Sequence, residues 1–126
     1  MNQPAVRVSV VDDEPVIAWT LAAILRCNGF DAESFTNPLH ALESARTTPP
    51  DLLISDVVMP ELSGLDLALR LKSIHPGCKV LLFSGQANTV EFLQQAGTLD
   101  QGFQILPKPI QPSDLLLAIR EQWFPD

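Results

Sequence analysis

LLISDVVMPELSGLDL, residues 52–67, decides the fold. Leu52 to Val58 is an apolar run interrupted only by Ser55 and Asp56. A short run without polar alternation reads as a strand buried on both faces. Met59 to Gly64 reads as a loop, and Leu65 to Ile74 then carries apolar residues at helical spacing. A buried strand, a short loop and an amphipathic helix form one half of a strand–helix–strand unit.

The same alternation extends in both directions. Toward the N-terminus, Ala5 to Val11 is a β-branched, apolar strand closed by Asp12-Asp13-Glu14-Pro15. Pro15 suits a first helical position, and Ile17, Leu21, Ile24 and Leu25 continue at helical spacing until Asn28-Gly29. Phe30 to Phe35 is a weaker second strand. Asn37-Pro38 caps and opens a helix to about Arg46, and Thr47 to Pro50 is a loop. Toward the C-terminus, Val80 to Ser84 is a fourth strand, and Gly85-Gln86-Ala87 leads into a helix up to Ala96. Gln104 to Leu106 is a short fifth strand, and Pro112-Ser113-Asp114 starts a final helix to about Trp123. Strict alternation of this kind predicts a parallel sheet with helices on both faces.

The 126 residues fit one domain, and the 46% that are hydrophobic suffice for a core. A formal net charge of −7 and a pI of about 4.6 argue against direct nucleic-acid binding, which needs a basic footprint. Cys27 and Cys78 have no metal or redox spacing, and are expected to be buried or half-buried reduced thiols. Met1 to Pro4 lacks the basic start of a signal peptide, and no apolar run has membrane-spanning length. The expected location is the cytoplasm, away from membranes. No output domain is expected after the last helix.

Ligands of an open parallel sheet bind beyond the carboxyl ends of its strands. Asp12-Asp13 follows the first strand, Asp56 falls near the end of the third, Ser84 ends the fourth, and the fifth runs into Lys108. Carboxylates brought about 4 Å apart repel by roughly 4 kcal/mol at a surface-like dielectric. A hard divalent cation with oxygen ligands offsets that cost, and Mg²⁺ suits a site of few carboxylates. Taken singly, Asp12-Asp13-Glu14 reads as helix capping and Asp56 as a turn residue. Their convergence on one sheet edge favours a site.

With VVDDEP at 10–15, LLISDVVMPELSGLDL at 52–67, LLFSGQ at 81–86 and LPKP at 106–109, the chain resembles the receiver domains of two-component response regulators, of the single-domain, chemotaxis-regulator kind. The resemblance covers nearly the whole chain. It implies a doubly wound α/β fold with five parallel strands in the order 2-1-3-4-5 and five helices, a flavodoxin-like three-layer sandwich. It implies that Asp56 accepts a phosphoryl group from a sensor histidine kinase. Asp13, Asp56 and the backbone carbonyl of Val58 would hold Mg²⁺ directly, and Asp12 through a water. Lys108 would pair with the phosphoryl oxygens and Ser84 would hydrogen-bond to them. Gly64 would relieve a tight backbone, and Lys108-Pro109 would be a cis bond. The output would be a contact on the face of the fourth helix, fifth strand and fifth helix, with a downstream target or a histidine phosphotransfer protein. Phosphorylation-dependent dimerisation is also compatible with this pattern.

Two positions depart from the family, and two more vary within it. Ile105 stands where an aromatic residue usually reports phosphorylation, and Phe103 would share its strand face. Pro107 adds a second proline beside Lys108 and stiffens the segment. Val58 and Gln86 occupy positions that tune phosphoryl hydrolysis, and an apolar Val58 predicts a slow to intermediate rate. His40 and His75 read as surface residues. Trp19 and Trp123 read as packing or partly exposed residues, although Trp123-Phe124 could join a partner surface. The alternatives are a phosphorylation-independent binding module of the same fold and a phosphohydrolase with an aspartyl nucleophile. Val58 argues against the hydrolase, whose acid/base aspartate belongs at that position.

Overall fold

The computed structural model describes residues 5–85 and 103–123. The elements run β1 (Arg7–Val11), α1 (Pro15–Cys27), β2 (Asp31–Phe35), α2 (Pro38–Thr47), β3 (Leu52–Asp56), α3 (Gly64–Ile74), β4 (Lys79–Ser84), β5 (Phe103–Pro107) and α4 (Pro112–Trp123). All neighbouring strands are parallel, in the order β2-β1-β3-β4-β5. The helix expected up to Ala96 and the position of Gln86 lie outside the described residues, as does Phe124.

The central strands are apolar on both faces because each face has its own helical layer. From β3, Leu52 and Ile54 pack with Val8, Val10, Leu81 and Phe83 beneath Leu21, Leu25, Leu115 and Ile119 of α1 and α4. Leu53 points the other way, with Val11, Val80 and Leu82, against Leu42, Leu67 and Leu71 of α2 and α3. This alternation is the period-two geometry of a strand. Each buried aliphatic side chain contributes about 1.5–3 kcal/mol.

Helix ends follow the sequence signals. Asn37 caps α2, its side chain accepting from Leu39 N at 2.8 Å. Ser63 caps α3 in the same way, accepting from Asp66 N at 3.1 Å. Gly29 follows α1 with φ +90°, the left-handed conformation that glycine adopts most easily.

Four expectations need correction. The third strand ends at Asp56 rather than Val58, because Val57 N donates to Phe83 O while Val57 O accepts from Gly64 N, turning the chain toward α3. The fifth strand is longer than expected, Phe103–Pro107. Pro107 is tolerated at its end because β5 lies at the sheet edge. The first strand starts at Arg7, not Ala5. Cys27 is exposed, although Cys78 is buried as expected. The buried stripe of α1 is Ala18, Leu21, Ala22 and Leu25, and Cys27 falls on the opposite side. Burial pushes the Cys78 thiol up to about 11. His40 is exposed and His75 half-buried, and Trp19 is 60% exposed.

Candidate functional site

The site lies at the carboxyl edge of the sheet. β1 delivers Asp12, which stays tied to the sheet through Asp12 N donating to Phe35 O at 3.1 Å. Its side chain is fully buried, and Oδ1 accepts from Glu14 N at 2.8 Å in an Asx-type turn that leads into α1. That turn leaves Asp13 exposed on the rim. β3 delivers Asp56, 7% exposed, as its last residue. One carboxylate oxygen from each of Asp12, Asp13 and Asp56 lies within 4.8 Å of the others.

Lys108 closes the cluster. Lys108 N donates to Ser84 O at 2.9 Å, which fixes the loop after β5 against the end of β4. The ammonium then reaches back to Asp56 Oδ2 at 3.2 Å and Asp12 Oδ2 at 3.4 Å. The Lys108–Pro109 bond is cis. Burial alone would lower the pKa of Lys108; the hydrogen bond to Asp56 and the charges of Asp12 and Asp56 outweigh it and hold it above the ordinary lysine value. Burial raises the carboxyl of Asp12 above its ordinary range, and the charge of Asp56 adds to the rise; the N–H of Glu14 and Lys108 oppose it. One ammonium faces three carboxylates, so the cluster carries excess negative charge. The buried pair Asp12 and Asp56 repels by about 3–4 kcal/mol at an effective dielectric of about 20, and the pairs with Asp13, exposed on the rim, by much less because water screens them.

The donor set is all oxygen, with neither His nor Cys in the cluster. That matches a hard divalent cation such as Mg²⁺, not zinc. Ser84, 4% exposed, ends β4 one residue beyond Phe83, the register partner of Asp56. Val58 sits in the loop after β3 with its side chain 58% exposed. The structure thus brings Asp12, Asp13, Asp56 and Lys108 together and sets Ser84 and Val58 on the flanking strand end and loop.

Close approach of the backbone requires glycine at position 64. A Cβ there would sit 2.0 Å from Asp56 O and 2.9 Å from Asp56 C, both backbone atoms. Within the same loop Glu61 adopts φ 72°, a left-handed conformation that costs a non-glycine residue about 1 kcal/mol. Sequence reasoning missed Glu61, whose identity carries no signal of it. It also missed Phe83, over whose ring the Lys108 ammonium lies at 5.1 Å from the centroid.

The profile of the family described as the response regulator receiver domain matches residues 8–120. The chain belongs to this family. As a receiver domain of two-component response regulators, it has curated relatives that are longer. It is 34% identical over 119 residues to the probable transcriptional regulatory protein TcrX of Mycobacterium tuberculosis, covering 94% of this chain and 50% of TcrX. It is 34% identical over 111 residues to the transcriptional regulatory protein CreB of Escherichia coli, covering 88% of this chain and 48% of CreB. The chain therefore spans about half the length of these relatives. Among solved structures, a CheY-like receiver domain protein from Methanospirillum hungatei superposes with a TM-score of 0.84 at 25% identity, covering 94% of each chain. Chemotaxis protein CheY4 of Vibrio cholerae gives 0.81 at 26% identity, covering 94% of this chain and 98% of that one. Among the described residues, no helix of this receiver is long and apolar enough to cross a membrane.

Proposed function

We propose that this receiver accepts a phosphoryl group on Asp56 from a phosphohistidine of a sensor histidine kinase, in a Mg²⁺-dependent reaction. The observation that carries the reading is the Lys108 ammonium bonded to both Asp12 and Asp56, with Asp13 completing an all-oxygen cluster. An Asp56 carboxylate oxygen forms the new O–P bond as the P–N bond of the donor breaks, and the imidazole leaves. Asp13 and Asp56, with the Val58 carbonyl, would hold Mg²⁺, and Asp12 would do so through a water. Bound Mg²⁺ neutralises the charge that keeps an anionic nucleophile from an anionic donor. Lys108, already beside Asp56, then pairs with phosphoryl oxygens as a point charge. Ser84 donates a hydrogen bond to the same group from the end of β4.

The exposed, apolar Val58 cannot orient an attacking water by hydrogen bonding, which supports a slow to intermediate loss of the phosphoryl group. The acidic cluster suits a switch whose output is a protein contact, with a downstream target or a histidine phosphotransfer protein, on a face including β5 and α4. A cytoplasmic location fits a kinase-fed switch.

The test is intact mass after incubation with acetyl phosphate, with and without Mg²⁺, for wild type and Asp56→Asn. The expected result is a Mg²⁺-dependent phosphoryl adduct on wild type alone. An adduct of equal yield on Asp56→Asn would place the chemistry elsewhere and reject Asp56 as acceptor.

A further inference from the structure

We propose that Phe83 is a positioning residue for Lys108: its ring face seats the ammonium beside Asp56 through an attraction that phosphorylation does not alter. The inference rests on the phosphoacceptor reading of Asp56 and deepens it.

Lys108 is held from three directions. Asp56 Oδ2 lies at 3.2 Å, Asp12 Oδ2 at 3.4 Å and the Phe83 centroid at 5.1 Å. The sheet register makes the third contact inevitable. Asp56 and Phe83 are Cα partners across β3 and β4, so their side chains leave the sheet on the same face, side by side. The backbone of Lys108 is tied to Ser84 O, one residue beyond Phe83, so its side chain passes over the ring to reach Asp56.

The three contacts differ in what happens to them during the reaction. Asp56 becomes an acyl phosphate and loses its carboxylate charge. Asp12 belongs to the cluster that would share its charge with a cation. The quadrupole of Phe83 stays as it is. The ring is also fixed: Phe83 is fully buried among Leu81, Ile54 and Leu115. A cation within about 6 Å of such a face is attracted to it, more strongly where water is excluded. The Lys108 side chain is only 22% exposed, so the attraction is little screened. Leucine or methionine at position 83 would fill similar volume without the quadrupole.

The experiment compares Phe83→Met and Phe83→Leu with wild type in Mg²⁺-dependent labelling by acetyl phosphate. Phe30→Leu is the packing control, since Phe30 is a half-buried aromatic against the same core cluster and away from Lys108. The rate at saturating acetyl phosphate is expected to fall roughly tenfold in both Phe83 variants, with the half-saturating concentration nearly unchanged. Phe30→Leu should lower the melting temperature and leave the rate alone. In parallel, NMR of wild type should show the Lys108 side-chain methylene protons shifted upfield by the ring, returning to ordinary lysine positions in Phe83→Met.

Unshifted Lys108 resonances in wild type would overturn the inference without any variant. So would a labelling rate in Phe83→Met equal to that of wild type, or an equal loss in Phe30→Leu. Absence of any adduct on wild type would overturn the phosphoacceptor reading and this inference with it. Labelled wild type with unaffected Phe83 variants overturns this inference alone.

Discussion

The two ends of the sheet carry the same kinds of charge and treat them in opposite ways. At the amino end, Arg7 opens β1 with its Nε 4.0 Å from Asp31 Oδ2, and these side chains are 49% and 67% exposed. Asp51, just before β3, accepts from Arg7 N at 2.9 Å. At the carboxyl end of the same strands, Asp12 and Asp56 are buried and Lys108 is drawn in over them. Exposed pairs contribute roughly 0–1 kcal/mol, whereas buried charges must be paired and are costly when they are not. A chain that wanted only stability would not crowd three carboxylates around one ammonium. The difference separates surface charge that water screens from a buried charge cluster that the fold holds at a cost.

The largest expected effect breaks the backbone that holds Asp56. Gly64→Ala forces a Cβ to within 2.0 Å of the Asp56 carbonyl oxygen, and the obstacle is backbone rather than a flexible side chain. A loss of about 3 kcal/mol or more is expected. Gly29→Ala is the matched comparison, because Gly29 has φ +90° with nothing within 4 Å of an added Cβ. It should cost only about 1–2 kcal/mol, from conformation alone. Urea melts of the two variants measure the gap, and equal losses would show that the loop around Asp56 yields easily.

Next comes the ammonium. Lys108→Met removes the cation from the cluster and leaves Asp12 and Asp56 buried without it, at a cost of about 2–3 kcal/mol given the partial exposure of Lys108. The double variant Lys108→Met/Asp12→Asn should recover much of the loss. The sign with pH follows from the raised pKa of Lys108 in the folded state. Its contribution is fully present below the unfolded lysine value and is lost as pH rises through the higher folded value. The gap between wild type and Lys108→Met should therefore be widest near neutrality and close above about pH 10.5. A gap that persists undiminished at strongly alkaline pH would mean that the side chain acts through packing, not charge.

Much of this was legible in the sequence, for a physical reason. LLISDVV is apolar because β3 has helices on both sides, whereas a strand with one face in water would alternate apolar and polar residues. Asp12, Asp13, Asp56 and Lys108 were legible because parallel topology sends every strand's carboxyl end to one edge. The end of β3 was misread by two residues because Val57 and Val58 continue the apolar pattern after the ladder has stopped, and the turn is set by backbone bonds to Phe83 and Gly64. Phe83 was invisible as part of the site because it belongs to the core by every compositional sign. Only the register that pairs it with Asp56 places it under Lys108. Cys27 was misjudged for a related reason: thiols are usually buried, but helical phase alone decides which side of α1 residue 27 occupies.

The smallest effect is the sharpest comparison, since it is predicted to change sign between the two ends of the sheet. Asp31→Asn removes an exposed carboxylate that pairs with Arg7, so stability should fall by about 0.5 kcal/mol or less. Asp13→Asn also removes an exposed carboxylate, but one with oxygens of Asp12 and Asp56 within 4.8 Å. Relief of that repulsion, largely screened at the rim, should raise stability by up to about 1 kcal/mol in chelator. Added Mg²⁺ should then invert the order for Asp13→Asn. A cation that binds only the folded state stabilises by RT ln(1 + [L]/Kd), and losing a ligand raises Kd. Wild type should gain melting temperature with Mg²⁺ and overtake Asp13→Asn, while Asp31→Asn should track wild type throughout. If Asp13→Asn and Asp31→Asn instead shift in the same direction in chelator and gain equally from Mg²⁺, the rim of the cluster is ordinary surface, and metal binding must be sought without Asp13.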